Sequence, residues 1–169
     1  MFQLGEYVIS TNNGICKVEA IMHPDFATEK NKMYYEILPL GEANTKLYVS
    51  VDKADERIRK VMSEEDAWKL IDEIPNIEET WIDNDKQREL TYKEALYSGK
   101  PELLIGIIKT MYFRKKKRTA TGKKNTIVDE KYFKLAEAHL YAELAFALGK
   151  KQDEMQELIT ERMKKISKT

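Results

Sequence analysis

Apolar and polar residues alternate with a period of two through the first third of the chain, and the period becomes helical near Ser63. Glu6–Ser10 is a short β-prone run. Asn12-Asn13-Gly14 follows it and supplies a tight turn, because Asn and Gly tolerate positive φ. Ile15–Ile21 alternates as a half-buried strand does, and Met33–Leu38 reads as a third strand. The segments Pro24–Asn31 and Pro39–Asn44 break the pattern as turns. Thr45–Val51 predicts a fourth strand with Leu47, Val49 and Val51 on one face, and Ile58–Val61 a short fifth. Strands this short and this close together predict a small, strongly bent sheet or barrel.

Helical spacing then takes over. Ser63 with Asp66 has the form of a capping box, and Ala67, Trp68, Leu70, Ile71 and Ile74 share a face up to Pro75. A second helix is predicted from Asp83 or Asp85 to Tyr97, stopped by Ser98-Gly99. A third starts near Pro101 and runs through Leu103, Leu104, Ile107, Ile108 and Met111, followed by Arg114–Arg118 and a polar loop, Thr119–Thr126. A fourth spans Val128–Leu148, with Phe133, Leu135, Ala136, Leu140, Leu144 and Leu148 expected on its buried side and Gly149 as its C-cap. Met155, Leu158, Ile159, Met163 and Ile166 predict a fifth. The expectation is an α+β protein: a β-module over residues 1–61, then an all-α helical bundle over 62–169.

Composition changes this picture in one respect. Net charge is zero over 169 residues, yet it is unevenly distributed. Residues 52–85 carry 5 Lys/Arg against 12 Asp/Glu, whereas residues 86–131 carry 13 against 5. A basic stretch of that size attracts polyanions; the plain alternative is a solvated helix face and loop. Charged residues make up 34% of the chain, above the usual quarter, which suits a helical, surface-rich protein. The single cysteine, Cys16, excludes an internal disulfide and fits a reducing compartment. No apolar run approaches the ~20 residues that span a bilayer, and Met1–Gly5 lacks the start of a signal peptide. The expected location is the cytoplasm, with no membrane partner.

Chemistry-bearing motifs are sparse. His23 and His139 are the two histidines, and His139 with Glu143 makes half of a metal pair at best. No phosphate loop, dinucleotide fingerprint or nucleophile elbow occurs. The acidic group Glu78, Glu79, Asp83 and Asp85 lacks the spacing of a calcium loop. These observations predict a binding protein with no catalytic residues, no metal and no cofactor.

Three pieces of the chain, in order, resemble one family. Phe2-Gln3-Leu4-Gly5-Glu6-Tyr7-Val8 followed by Asn13-Gly14-Ile15-Cys16-Lys17-Val18 resembles the opening F-x-x-G-D-x-V … H-G-x-x-x-V of CarD-like (CdnL-type) bacterial transcription factors. Lys46-Leu47-Tyr48-Val49-Ser50-Val51 resembles their last core strand. Trp81, ahead of a basic helix with Arg88 that ends in Tyr97-Ser98-Gly99-Lys100, resembles their W-x-x-R … L-x-x-G-D segment.

The resemblance implies a Tudor-like β-module, shared with transcription-repair coupling factor, that docks on the β subunit of RNA polymerase. It also implies a helical half facing promoter DNA, where a tryptophan wedges into the minor groove at the upstream edge of the melted region and stabilises the open complex. Trp81 holds that position here. Lys86, Arg88 and Lys93, with Arg114, Lys115 and Lys116 of the basic run, are the candidate phosphate contacts. Thr45, Lys46, Leu47, Tyr48 and Val49 are the candidate polymerase contacts, on an edge strand suited to strand addition. Each carries a plainer reading: Trp81 as a core anchor, the basic run as a solvated loop, Leu47 and Val49 as sheet core.

The sequence also departs from the pattern. Trp81 and Gly99 lie 18 residues apart, about one helical turn further than in the family form. Tyr48 stands where some relatives carry an arginine, and Lys46 is the nearby cation. The expected protein is a monomeric transcription regulator; an adaptor using the β-module on a different partner is the competing reading.

Overall fold

The computed structural model describes residues 1–42 and 44–167. The chain divides into two compact units, Met1–Val61 and Met62–Thr169.

The first unit is one antiparallel sheet in the order β4-β3-β2-β1-β5. Its strands are β1 (Tyr7–Ser10), β2 (Gly14–Met22), β3 (Tyr34–Pro39), β4 (Leu47–Ser50) and β5 (Ile58–Lys60). The sheet curls into a half-barrel, the bent-sheet form of the expectation. Strands β4 and β5 are its two edges. Gly14 makes the β1–β2 turn: its φ of 70° lies in the left-handed region, and the ladder closes at Ser10 opposite Gly14. A register shift between Val18 and Ala20 bends β2 against β3, as a bulge does.

Alternation then decides what is buried. Val8, Cys16, Val18, Tyr35, Ile37 and Val49 point to one face and pack with Phe2, Ala54 and Ile58. Phe2 sits edge-to-face on Tyr35 at 5.7 Å, and its N–H donates to the Tyr35 hydroxyl at 3.0 Å. The single helical turn α1 (Ala54–Arg57) leads into β5.

The second unit is helical: α2 (Glu64–Glu73), α3 (Asp85–Leu96), α4 (Pro101–Ala120), α5 (Ile127–Leu148) and α6 (Met155–Ser167). Ser63 caps α2 by accepting from the Asp66 N–H, and Asn84 and Thr126 cap α3 and α5 in the same way. A short 3-10 turn, Ile74–Asn76, carries Pro75 and ends α2. Leu104, Ile107 and Met111 of α4 meet Ala136, Leu140 and Leu144 of α5 in a core that also takes Ala67, Leu70 and Ile71 of α2, and Met155 and Ile159 of α6.

Two expectations change here. The basic run Arg114–Arg118 is not a loop but the last turns of α4, because Arg and Lys are good helix formers and nothing breaks the helix before Thr121-Gly122. Leu135 faces solvent at 38% exposure, so the buried stripe of α5 runs through Tyr132, Ala136 and Leu140 instead. Phe133 is half-buried against that core. The side chain of Ile166, and Ala43 in the β3–β4 turn, lie outside the described residues.

Candidate functional site

The segment between α2 and α3 carries Trp81, and α4 holds it along a line of side chains three to four residues apart. Lys109 Nζ donates to the carbonyls of Ile74 at 2.9 Å and Ile77 at 2.6 Å, where α2 and its 3-10 turn end. A cation there also suits the negative end of the helix dipole. Thr110, fully buried, accepts the Thr80 N–H at 2.7 Å and donates to the Gly106 carbonyl at 2.8 Å. Gly106 lets the segment approach the helix: a Cβ there would stand 3.3 Å from the Glu78 carbonyl.

One turn further along α4, Arg114 lies over the Trp81 ring at 5.7 Å, and Lys117 at 5.4 Å. The indole Nε1 donates to Asp83 Oδ1 at 2.9 Å. Cations over an indole contribute about 0.5–1 kcal/mol each when exposed and more when desolvated. Trp81 nevertheless keeps 45% of its surface exposed. It is therefore not the core anchor of the plainer reading. Trp68 is closer to that role, partly buried against the helical core with Arg162 over its ring at 5.3 Å.

Behind Arg114 lies a buried ion cluster. Asp129, in the first turn of α5, is fully buried. Its Oδ2 accepts from Arg114 Nε at 2.9 Å, and Arg88 Nε stands 3.8 Å from its Oδ1. Arg88 also donates to the exposed Asp85 at 2.8 Å. A buried carboxylate is strongly unfavourable unless paired, and these guanidiniums supply the pairing. Burial first, and the Asp129 charge second, push the neighbouring Tyr92 phenol above its usual range.

Two of the candidate phosphate contacts belong to this cluster. Arg88 is 7% exposed and faces carboxylates, and Arg114 is directed at Asp129 and the indole. Their partner Asp129 is distant in sequence, so nothing local marked either arginine as internal. Lys86, Lys93, Lys115 and Lys116 are exposed, with Lys93 beside Glu89 at 3.8 Å and Lys116 over Tyr112 at 5.9 Å. Sequence reasoning missed Asp129, Lys117, Gly106, Thr110 and Lys109. The available signal was the small pair Gly106 and Thr110, four apart on an otherwise bulky helix.

In the first unit, the candidate contacts separate by face. Leu47 and Val49 turn their side chains toward the sheet core. Thr45 lies in the turn before β4, its N–H donating to the Glu42 carbonyl. Tyr48, on the opposite face of the edge strand, donates to Glu36 at 3.1 Å, and Lys46 reaches the same carboxylate at 3.9 Å. Phe26 packs edge-to-face on both Tyr34 and Tyr48, at 5.6 and 5.1 Å, while remaining 60% exposed. The edge thus presents its backbone, Lys46 and an aromatic group.

Residues 2–62 match the family model of the CarD-like/TRCF RID domain. The RID match covers all five strands and ends before α2. It supports the resemblance read from Phe2–Val8, Asn13–Val18 and Lys46–Val51; the segment around Trp81 lies outside it. Comparison with curated proteins gave no match. Among the described residues no cluster of His, Cys, Asp and Glu is placed to hold a metal ion, and no helix is long and apolar enough to cross a membrane.

Proposed function

We propose that the chain is a CdnL-type transcription regulator. Residues 1–61 dock on the β subunit of RNA polymerase, and residues 62–169 face promoter DNA at the upstream fork and stabilise the open complex. The RID match over residues 2–62 is the observation that carries the polymerase half of this reading. It is supported by the edge strand β4, which no strand among the described residues pairs on its outer side and which is flanked by Lys46, Tyr48 and Phe26, because strand addition needs an available edge and neighbouring side chains that choose the partner.

Trp81 supports the DNA half. A half-exposed indole flanked by Arg114 and Lys117 has the chemistry of a minor-groove wedge: an apolar plate to stack at an unpaired step, with the exposed Lys117 close to phosphates. Unstacking costs a few kcal/mol in intact duplex and less at a step already melting. Lys86, Lys93, Lys115 and Lys116 are the proposed phosphate contacts, which position the protein without reading sequence. Arg114 and Lys117 act at the ring.

The test is co-purification of the full chain with the isolated polymerase β lobe, beside a chain lacking residues 1–61. Capture of the full chain and loss with the deletion supports docking through the RID unit. Equal capture of both, or of neither, sinks it, and the second result favours an adaptor for a different partner.

A further inference from the structure

Asp129 is the buried acid of the ion cluster behind Trp81. Its carboxylate is fully buried at the start of α5, where the exposed Glu130 already places a charge at the helix N-terminus. The dipole alone therefore does not account for an acid buried at this position. What the burial does is fix Arg114. Arg114 Nε donates to Asp129 Oδ2 at 2.9 Å, its side chain is 12% exposed, and its guanidinium lies over the Trp81 ring at 5.7 Å. The planar, delocalised guanidinium can satisfy a carboxylate at one edge and an aromatic face with its plane, which an ammonium on a flexible stem does less well.

The main chain of the segment is already set by Thr110 on the Thr80 N–H. The side-chain torsions of Trp81 are not set by that bond. The ring is oriented by Arg114 and Lys117 on α4 and by Asp83 at its Nε1. Of these three, Arg114 is the one held by a buried partner, since Lys117 and Asp83 are exposed.

We propose that Asp129 is a positioning residue for Trp81, acting through Arg114, so that the indole is held ready for the fork instead of sampling its rotamers. The functional half rests on Trp81 as the DNA-contacting side chain. Holding a bulky side chain in its bound rotamer before contact removes an ordering cost from binding, which corresponds to about two- to tenfold in affinity.

The experiment uses the full chain with Trp68→Phe, which leaves Trp81 as the sole tryptophan. Acrylamide quenching of Trp81 is measured in the free protein. Affinity is measured at one salt concentration for a plain duplex and for a duplex with an unpaired fork. The variants are Asp129→Asn, Arg114→Gln and Arg114→Lys. The last keeps net charge, so it leaves the electrostatic part of plain-duplex binding in place. Expected results are faster quenching in all three, and for Arg114→Lys a loss of about two- to tenfold in fork affinity relative to plain-duplex affinity. If Asp129→Asn does not fold, the two Arg114 variants decide. Folded variants with parental quenching and fork preference overturn the proposal. Faster quenching in a chain whose parent shows no fork preference upholds the positioning of Trp81 and overturns its assignment to DNA.

Discussion

Thr110→Val tests the attachment of the Trp81 segment to α4. Valine keeps the shape of threonine, and both are β-branched with similar helix propensity, so the helix itself changes little. The Gly106 carbonyl also keeps its helical N–H partner. What disappears is the acceptor for the Thr80 N–H, now bonded at 2.7 Å to a fully buried hydroxyl. A buried donor left without a partner costs about 1–3 kcal/mol. Thr80 is half-buried, so water partly replaces the bond, and the lower part of that range applies: about 1–2 kcal/mol. For a helical unit of this size, the expected fall in Tm is roughly 4–8 °C. Thermal unfolding by circular dichroism gives the global effect, and amide exchange at Thr80 and Trp81 gives the local one. Thr110→Ser, which keeps the hydroxyl, should retain the protection at Thr80. Parental Tm and parental exchange at Thr80 in the valine variant would refute the reasoning.

Three further outcomes are expected. Gly149→Ala places a side chain at φ 64°, the left-handed C-cap of α5, and should destabilise the protein by about 1 kcal/mol in urea unfolding. Burial, and secondarily the charge of Glu42, raise the Cys16 thiol to about 11, so an aromatic disulfide reagent at pH 8 should label it slowly in the native protein and rapidly in urea. Burial lowers the pKa of His139. The unfolded chain therefore binds its proton first, near pH ~6.5. Stability from the neutral ring is present above that pH and is lost as pH falls below it toward the folded value, so His139→Gln should flatten the acid side of the stability profile between pH 7.5 and 5.5.

The sheet was readable because alternation of period two names both the strand and its buried face, as in Ile15–Ile21 and Leu47–Val51. Helix starts were readable where a cap lies beside the first turn, as at Ser63; the start of α3 was narrowed only to Asp83 or Asp85, and its cap proves to be Asn84. The end of α4 was not, because the apolar stripe that marks a helix in sequence stops at Met111, while the helix continues to Ala120 on the propensity of Arg and Lys. Trp81 was visible as an aromatic at the acidic-to-basic junction. Its geometry was not: the cations that frame it lie on α4, and the acid that holds Arg114 lies on α5, so the site forms only once α3, α4 and α5 pack. Arg88 shows the same limit. Its charge suggested phosphate, whereas its burial and its partner depend on a residue far along the chain.

The central claim is that the chain acts at the polymerase–promoter complex through Trp81. The most direct measurement is the lifetime of an open promoter complex challenged with competitor DNA, with no addition, with the full chain, and with its Trp81→Ala variant at concentrations that saturate polymerase. The account predicts a longer lifetime with the full chain, and a return toward the unassisted value with Trp81→Ala although the variant still co-purifies with polymerase. An unchanged lifetime with the full chain, or an equal extension by both proteins, contradicts it.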